Sequence, residues 1–443
     1  MIGLGRSPDS GSLAVSEFPA RVCRPEERVR IQYLSLVPAT NDGQRTLTPG
    51  AHPDADRAAH AEADRASHLN LQADIDVEVA VLGAGLMGAA TAWELTRRGH
   101  SVALVEAFDI GHAHGSSHGT ERIYRRAYAD PLYVAMTGAA EDRWAELEAD
   151  AGVALRLPTG GLDHGSSHRI DLIAAELAAA GVEHQVLAAS EAMRRWPDFS
   201  FDGPVLFHPA AGTLNAAATV AACVRLASGR GATVLSGTRC TALEATDRVR
   251  LRTSGPTITA DRVVVAAGPW LPHTTITVDG RPVPMPRLTV TQQQVFHFER
   301  HNPTHEMPVF IHEGADEVET YGLRSGADGG QNPSYKVAFH NHGSVTTPDT
   351  RTAAIDPAGR AKIIDYVRRY LPGLDSEPVA ELTCLYTRTA SEDFVLDRFG
   401  PVVLASPCSG HGAKFTPLIG ALVADLALGA DQSEFRFTVA AHS

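Results

Sequence analysis

The sequence predicts a mixed α/β protein in which an antiparallel sheet is inserted into a parallel one, and two observations support this. The stretch "VEVAVLGAGLMGAATAWELTRRGHSVALVE" combines an apolar run, a helical pattern and a second apolar run, as in a βαβ unit. Over residues 283–342, β-type runs such as "QQQVFHFE" and "YKVAFHNH" alternate with turns, which indicates antiparallel sheet. A chain of 443 residues is long enough for two or three domains, or for one large α/β enzyme with an inserted domain.

The individual elements follow from local patterns. Val77 to Leu82 is apolar and β-branched, as in a buried parallel strand, and a helix is predicted from Met87 to Arg97 with Gly99 as its C-cap. "SVALVE" is the second strand of the unit. Further on, residues 212–246 predict a helix, a turn and a strand, and residues 249–268 predict short strands that lead into a buried one. "AKIIDYVRRYLPGL" is an amphipathic helix ended by proline, and "TPLIGALVADLALG" is the last helix.

Composition and charge narrow the class of protein. A hydrophobic content of 44% and a charged content of 21% are typical of a globular protein. The net charge of -13 argues against a nucleic-acid partner, which would require a basic surface. No apolar run of about 18 residues predicts a membrane span, and no secretory signal pattern is present. The five cysteines lack paired spacing, so we expect a reducing, cytoplasmic location.

Residues 1–73 differ from the rest of the chain. They are rich in Pro, Gly, Asp, Ala and His and have no sustained apolar periodicity. We therefore predict a disordered extension with one short helix near residues 58–67.

A glycine-rich motif, GAGLMG, joins the first predicted strand to the first predicted helix. In the GxGxxG pattern, Gly83 permits a tight turn, Gly85 lets the backbone approach a pyrophosphate and Gly88 allows close helix packing. Leu86 and Met87 lie between the last two glycines, at the N-terminus of the predicted helix, which favours that negative charge. About twenty residues on, Glu106 ends the second strand, where an acid accepts hydrogen bonds from ribose. The constellation predicts dinucleotide binding; a purely structural glycine turn is the alternative.

The choice of dinucleotide depends on the part of the chain after the second strand. Glu106 disfavours NADP but does not separate NAD from FAD. An NAD-dependent dehydrogenase would continue with further βα units, whereas this chain moves to "GSSHGTERIYRRAY" and returns to a buried strand only at "VVVAAGPWLP". A nucleotide domain split by an inserted substrate domain is typical of two-domain flavoproteins.

Several stretches then carry a resemblance to a known family: "VLGAGLMGAATAWELTRRGHSVALVEAFD", "GSSHGTERIYRRAY", "VVVAAGPW", "YKVAFH", "TCLYTRTASEDFVLD" and "SGHGAKF". Their order and separation resemble monomeric sarcosine oxidase and its relatives, including N-methyltryptophan oxidase, in the glycine/D-amino-acid oxidase group. The resemblance covers about residues 75–440. It implies a Rossmann-like FAD-binding fold of the p-hydroxybenzoate hydroxylase/D-amino-acid oxidase type. The implied ranges are 75–155, 205–275 and 385–440 for the FAD-binding domain, and 156–204 and 276–384 for the substrate domain.

The resemblance also implies which residues hold FAD and the substrate carboxylate. The loop with Ser116, Ser117, His118 and Arg122 would wrap the flavin. Arg125 would pair with the carboxylate, a role that suits its planar fork, and Lys414 would be the second cation. The remaining implied FAD contacts are Gly268, Gly410 and Gly412. From the residues alone, the arginine cluster reads equally as a solvated helix face, and Lys414 as a solvated loop residue.

The same resemblance assigns roles on the predicted antiparallel strands. Lys336 would be the cation at which oxygen is reduced, and His340 would border the substrate. On an alternating strand, Lys336 and His340 face one side, where an inward lysine needs water or a ligand. Tyr321 and Tyr386 would line the substrate cavity. The alternatives are an exposed edge-strand lysine and ordinary core tyrosines.

Cys384 in "LTCLYTRT" coincides with the cysteine that links covalently to FAD in the family. From composition alone, a buried free cysteine is an inert small hydrophobe, which we expect of Cys223, Cys240 and Cys408. The resemblance thus implies a covalently attached cofactor.

The implied reaction is oxidation of a secondary-amine amino acid by FAD and O2. An N-methyl substrate would give formaldehyde, the demethylated amino acid and hydrogen peroxide, and the enzyme would act as a monomer on small molecules. Leu323 and Arg324 replace the family's aromatic residue and proline, the following turn is longer, and Pro407 and Cys408 are unusual, so the substrate stays open. The alternatives are a cyclic imino-acid (pipecolate-like) oxidase, a secondary-metabolite amine oxidase or dehydrogenase, and a non-catalytic FAD-binding protein.

Overall fold

The structure is a computed structural model that describes residues 74–314, 318–430 and 435–442. These residues fall in the compact unit Asn70–Ser443. The predicted disordered extension and its short helix lie outside the described residues. Among the helices of the described ranges, none is long and apolar enough to cross a membrane.

Strands occur throughout the described part of the chain. The strands are β1 Ile75–Leu82, β2 Val102–Val105, β3 Glu121–Tyr124, β4 Arg156–Pro158, β5 Gly161–Gly165, β6 Gln185–Leu187, β7 Val205–His208, β8 Gly212–Asn215, β9 Thr233–Leu235, β10 Cys240–Ala245, β11 Val249–Thr253, β12 Ile258–Val265, β13 Thr277–Val278, β14 Arg281–Pro282, β15 Thr289–Arg300, β16 Val309–Glu313, β17 Glu319–Arg324, β18 Ser334–Phe339, β19 Ser344–Val345, β20 Leu374–Arg388, β21 Val395–Phe399 and β22 Val402–Ser406.

The described part of the chain also contains seven α-helices. They are α1 Leu86–Arg97, α2 Pro131–Ala151, α3 Ser167–Ala179, α4 Ala189–Arg195, α5 Ala216–Gly229, α6 Pro357–Tyr370 and α7 Thr416–Leu428. Short 3-10 segments occur at Gly268–His273, Ala327–Gly329, Gly412–Phe415 and Val439–His442.

The first sheet has ten strands and a parallel centre. β1 lies between β2 and β12, all parallel, and β9 and β22 extend the parallel set on either side. β2 is buried throughout and β1 is buried over its second half, which explains the apolar, β-branched sequence there. Helix α1 packs against α7 and α5 over this sheet, and at Gly420 an added Cβ would lie 2.8 Å from the backbone of Ala90. The predicted βαβ unit and last helix are therefore present.

The second sheet has nine strands and is mostly antiparallel, in the order β19-β15-β18-β17-β16-β5-β7-β6, with β20 also paired to β15. Helix α6 covers one face, where Phe310, Tyr335 and Ile364 belong to a shared core. The opposite face lines a cavity. A third sheet has three strands in the order β3-β8-β4. Its strand β3 contains the first part of the arginine-rich stretch.

The second sheet departs from the sequence prediction at one point. β18 ends at Phe339, so His340 lies in the following turn rather than in alternation with Lys336 on the strand. Both residues nevertheless line the cavity. The domain boundaries stay a prediction. Strand Val205–His208 lies in the range predicted for the FAD-binding domain, but it pairs with β5 in the second sheet.

Candidate active site

A cavity of about 950 Å³ collects almost all of the predicted site residues. Of the predicted residues, only Gly88 does not line it, because it packs beneath the loop. The predicted substrate-side residues that line the cavity are Arg125, Tyr321, Lys336, His340, Tyr386 and Lys414. The predicted FAD-side residues that line it are Gly83, Gly85, Leu86, Met87, Glu106, Ser116, Ser117, His118, Arg122, Gly268, Cys384, Gly410 and Gly412.

The glycine motif shapes one end of the cavity. Gly83 has a φ of +97°, and an added Cβ there would lie 2.4 Å from the carbonyl oxygen of Ala266. At Gly88 an added Cβ would lie 1.8 Å from the carbonyl oxygen of Gly83, so any side chain would push the helix from the loop. The carboxylate of Glu106 accepts a hydrogen bond from the Ala84 amide at 2.8 Å and ties the loop to the end of β2. This is the geometry in which backbone amides cradle a pyrophosphate.

Buried polar atoms without a hydrogen-bond partner support the fit of FAD to this cavity. The Oγ of Ser116 and the Nε2 of His118 are buried and have no hydrogen-bond partner among the described residues. Burial and the nearby Arg122 guanidinium lower the pKa of His118 to about 4, so its ring is neutral. Arg122 donates to the carbonyl oxygens of Ser116 at 3.1 Å and His118 at 2.5 Å, which fixes the loop. Buried orphan groups of this kind are costly unless a ligand pairs with them.

Two buried cations that line the cavity lie near the same aromatic ring. Arg125 and Lys414 are only 8% and 6% exposed. The Arg125 guanidinium lies 4.9 Å from the centre of the Tyr128 ring, and the Lys414 ammonium lies 5.4 Å from it. Arg125 also forms a 3.0 Å ion pair with Asp163. Burial, with Arg125 adding to it, holds the pKa of Lys414 well below its usual range. An anion bound between the two cations would stabilise their charged forms.

Lys336 is another buried cation that lines the cavity. It is 5% exposed and donates to the Glu121 carbonyl at 3.1 Å. Its Nζ lies 3.7 Å from Asp328, whose other oxygen accepts from Thr120 at 2.6 Å. Burial and Arg122 lower the pKa of Lys336 to about 8, while Asp328 opposes that shift. The predicted inward lysine is thus present, and the exposed edge-strand alternative is wrong.

Cys384 lies on β20, opposite Gln293 of β15, and faces the same cavity. Burial raises the pKa of its thiol, and the Arg122 and Lys336 charges oppose the shift. Cys240 and Cys408 also line the cavity, whereas Cys223 is buried in the core. Only the family resemblance distinguished Cys384 from the other three cysteines as the residue that links to FAD.

The tyrosines and His340 form an aromatic wall. The hydroxyl of Tyr386 lies 3.4 Å from that of Tyr321. Gly410 has a φ of +78°, and an added Cβ would lie 2.5 Å from the Tyr386 ring and 2.7 Å from His340. Gly410 is therefore required for these rings to approach the loop before α7. Neither tyrosine is ordinary core, because both line the cavity.

Sequence reasoning missed several groups that touch these residues. Asp163 in "GGLDHG" and Asp328 in the long turn carry no local signal of a role. Tyr128 ends the quoted "RRAY" stretch and could have been noticed there. His411 contacts the Tyr128 hydroxyl at 3.1 Å, and Glu319 lines the cavity while accepting from Arg169 at 2.9 Å.

Comparisons with known proteins agree with this geometry. A family model described as FAD dependent oxidoreductase (DAO) matches residues 78–426. The chain belongs to this family. The resemblance inferred from the motifs and the predicted fold class are confirmed, and the protein is an FAD-dependent oxidoreductase.

Similar proteins include several curated relatives. The chain is 34% identical over 372 residues to monomeric sarcosine oxidase of Streptomyces avermitilis, covering 79% of this chain and 93% of the relative. It is 31% identical over 365 residues to peroxisomal sarcosine oxidase of Homo sapiens, covering 79% and 92%. It is 27% identical over 369 residues to N-methyl-L-tryptophan oxidase of Yersinia pestis, covering 79% and 94%.

Solved structures show the same fold. NikD, described as an unusual amino acid oxidase essential for nikkomycin biosynthesis, superposes with a TM-score of 0.70 at 24% identity, over 82% of this chain and 96% of that one. Glycine oxidase of Geobacillus kaustophilus superposes with a TM-score of 0.63 at 19% identity, over 83% and 98%. At these identities the likeness concerns the fold alone.

Proposed function

We propose that the enzyme oxidises the secondary amine of an N-methyl amino acid, such as sarcosine or N-methyltryptophan, with O2. The products are formaldehyde, the demethylated amino acid and hydrogen peroxide. The observation that carries this proposal is the pair of buried cations, Arg125 and Lys414, at one end of a cavity with an aromatic wall. Relatives called sarcosine oxidase and N-methyl-L-tryptophan oxidase support the same substrate class.

The cations fix the orientation of the substrate. Arg125 can bind a carboxylate through two parallel N–H groups, and Lys414 adds a point charge beside it. With the carboxylate held there, the amine and its methyl group are directed toward Tyr321, Tyr386 and the flavin side of the cavity. Bound FAD supplies the two-electron acceptor for the amine, and water hydrolyses the resulting imine. The protein contributes orientation and charge.

Lys336 supplies positive charge on the flavin side. Since its pKa is about 8, the ammonium is mostly protonated at neutral pH. A protonated Nζ can stabilise the negative charge that develops as O2 is reduced. Asp328 keeps the proton on this lysine, because its carboxylate raises the pKa that burial lowers.

Cys384 is proposed to tether FAD through a thioether to the 8α-methyl group. Its position on the cavity wall near Arg122 and Lys336 supports this. Such a bond would replace an S–H and a methyl C–H, and the two electrons and two protons released would be accepted by O2 as hydrogen peroxide. Cys240 and Cys408 are the alternative thiols in the same cavity.

The enzyme is also proposed to act as a monomer in the cytoplasm. Relatives at 31–34% identity are called monomeric. The four cysteines in the described part of the chain are free thiols, as a reducing compartment favours.

A matched substrate panel tests the proposal. Purified protein is mixed in air with sarcosine and glycine, N-methyl-L-tryptophan and L-tryptophan, pipecolate and L-proline, while peroxide and formaldehyde are measured. N-methyl amino acids should give both products, and N-methylglycinamide, which lacks the carboxylate, should react poorly. Peroxide from pipecolate alone would instead identify a cyclic imino-acid oxidase, and no peroxide from any amine would identify a dehydrogenase or a non-catalytic protein.

A further inference from the structure

Two histidines lie together on the face of the second sheet that is turned away from the active site. His164 of β5 and His312 of β16 are directly paired across parallel strands. Leu162 and Phe310, two residues earlier on each strand, belong to the core on the α6 side, which places both histidines on that face. Their rings stack with centroids 4.1 Å apart and planes at 19°.

A carboxylate completes the cluster. One ring nitrogen of each histidine and one oxygen of Asp202 lie within 4.8 Å of one another. The Nε2 of His312 is 3.7 Å from the Oδ1 of Asp202. Zinc–ligand bonds of about 2.0–2.2 Å require the ligand atoms to lie somewhat closer to one another than they do here. Rotation of the side chains can bring them closer.

We propose that His164, His312 and Asp202 bind a divalent transition-metal ion, Zn²⁺, with water as the fourth ligand. Two imidazoles and a carboxylate match the N/O ligand sets of zinc sites with an open position. The ion would join three separate segments, β5, β16 and the stretch before β7, behind the substrate cavity.

Two tyrosines of α6 orient the ligands. The Tyr366 hydroxyl contacts the Nδ1 of His312 at 2.9 Å, so the Nε2 is the nitrogen turned to Asp202. The Tyr370 hydroxyl donates to the Oδ2 of Asp202 at 3.0 Å, so the Oδ1 is the oxygen turned to His312. Hydrogen bonds to the far atoms of ligating side chains are the usual second layer of a metal site.

His164 is the independent observation that points to a ligand. It is 4% exposed, and its Nδ1 is buried without a hydrogen-bond partner in the described residues. A neutral imidazole in this position can offer a ring nitrogen's lone pair to an ion. An uncharged imidazole is the form that binds metal. The Asp202 side chain is 42% exposed and gives an ion a route from solvent.

Zinc binding to the full-length holoprotein tests the proposal. After dialysis against a chelator, the protein is titrated with Zn²⁺ by calorimetry, and bound zinc is counted by elemental analysis after gel filtration. The wild type should bind one saturable equivalent and melt at a higher temperature with zinc. Tyr370→Phe should weaken binding ~10- to 100-fold, the usual effect of losing an outer-layer partner.

Two ligand variants and a control separate this site from others. Asp202→Asn keeps an oxygen for the Tyr370 hydroxyl and should weaken binding by more than Tyr370→Phe does, with activity unchanged. His164→Gln should do the same, and Asp202→Asn remains informative where the buried variant fails to fold. Asp375→Asn alters an exposed His301–Asp375 pair at 3.0 Å and should leave zinc binding unchanged. Absence of saturable binding in the wild type, or binding that survives Asp202→Asn, would overturn the proposal.

Discussion

Replacement of Arg125 by methionine should lower both the stability of the protein and its affinity for the substrate carboxylate. Arg125 and Asp163 form a 3.0 Å ion pair whose side chains are 9% and 5% exposed. Removal of one partner leaves a buried unpaired carboxylate, which costs about 3–5 kcal/mol of unfolding free energy. A second, separate effect concerns catalysis. Loss of the charge-assisted hydrogen bonds to the substrate carboxylate raises the free energy of the transition state by ~1.5–3 kcal/mol, which lowers kcat/KM ~10- to 150-fold.

The double variant Arg125→Met/Asp163→Leu distinguishes the two effects. Apolar replacement of a whole buried ion pair is often neutral or stabilising, so the unfolding free energy should return close to that of the wild type. The value of kcat/KM should stay low, because no guanidinium remains to bind the carboxylate. Urea unfolding and steady-state peroxide assays measure the two quantities.

A matched control is Arg156, which pairs with Glu148 at 2.8 Å and does not line the cavity. Arg156→Met should lower stability without a change in KM. If the double variant at Arg125 and Asp163 recovers kcat/KM together with stability, then Arg125 is a structural residue and the carboxylate site lies elsewhere.

Four further predictions concern the flavin side of the cavity. Lys336→Met should slow reoxidation by O2 much more than flavin reduction, as stopped-flow half-reactions would show. In the wild type, the reoxidation rate should fall as pH rises through about 8, because Lys336 loses its proton there. Asp328→Asn should move that midpoint to lower pH, since Asp328 raises the pKa of Lys336. Cys384→Ala should release all the yellow colour into the supernatant after acid precipitation, whereas the wild-type precipitate stays yellow.

Each of these four predictions has a result that would contradict it. Unaffected reoxidation in Lys336→Met would remove the lysine from oxygen chemistry, and a pH-independent rate would do the same for its proton. An unmoved midpoint in Asp328→Asn would mean that the carboxylate does not act on Lys336. A colourless wild-type precipitate would show that FAD is not covalently bound, and a yellow one in Cys384→Ala would point to Cys240 or Cys408.

The features of the site that depend on residues close together in the sequence were predicted best. Gly83, Gly85 and Gly88 act within one turn, so their spacing alone predicts the backbone cradle. Strand alternation put Lys336 and His340 on one side but did not show that this side faces inward, and β18 ends before His340. The placement of Cys384 and Lys414 came from resemblance, because nothing local distinguishes them from other cysteines and lysines.

Long-range pairs could not be predicted from one sequence. Asp163 of β5 contacts Arg125 across 38 residues, and Asp328 contacts Thr120 across 208 residues. His164 and His312 meet only through the register of β5 and β16, which no local pattern encodes. These contacts depend on sheet order, which is set by the packing of the whole fold.

Anaerobic mixing of the purified holoprotein with N-methyl amino acids tests the proposed reaction most directly. Flavin absorbance and formaldehyde are followed for sarcosine and N-methyl-L-tryptophan, with glycine and L-tryptophan as controls. Oxidative demethylation predicts that at least one N-methyl amino acid bleaches the flavin and releases equimolar formaldehyde, while its demethylated parent does neither. A flavin that stays oxidised with N-methyl amino acids, or that bleaches without formaldehyde, would contradict it.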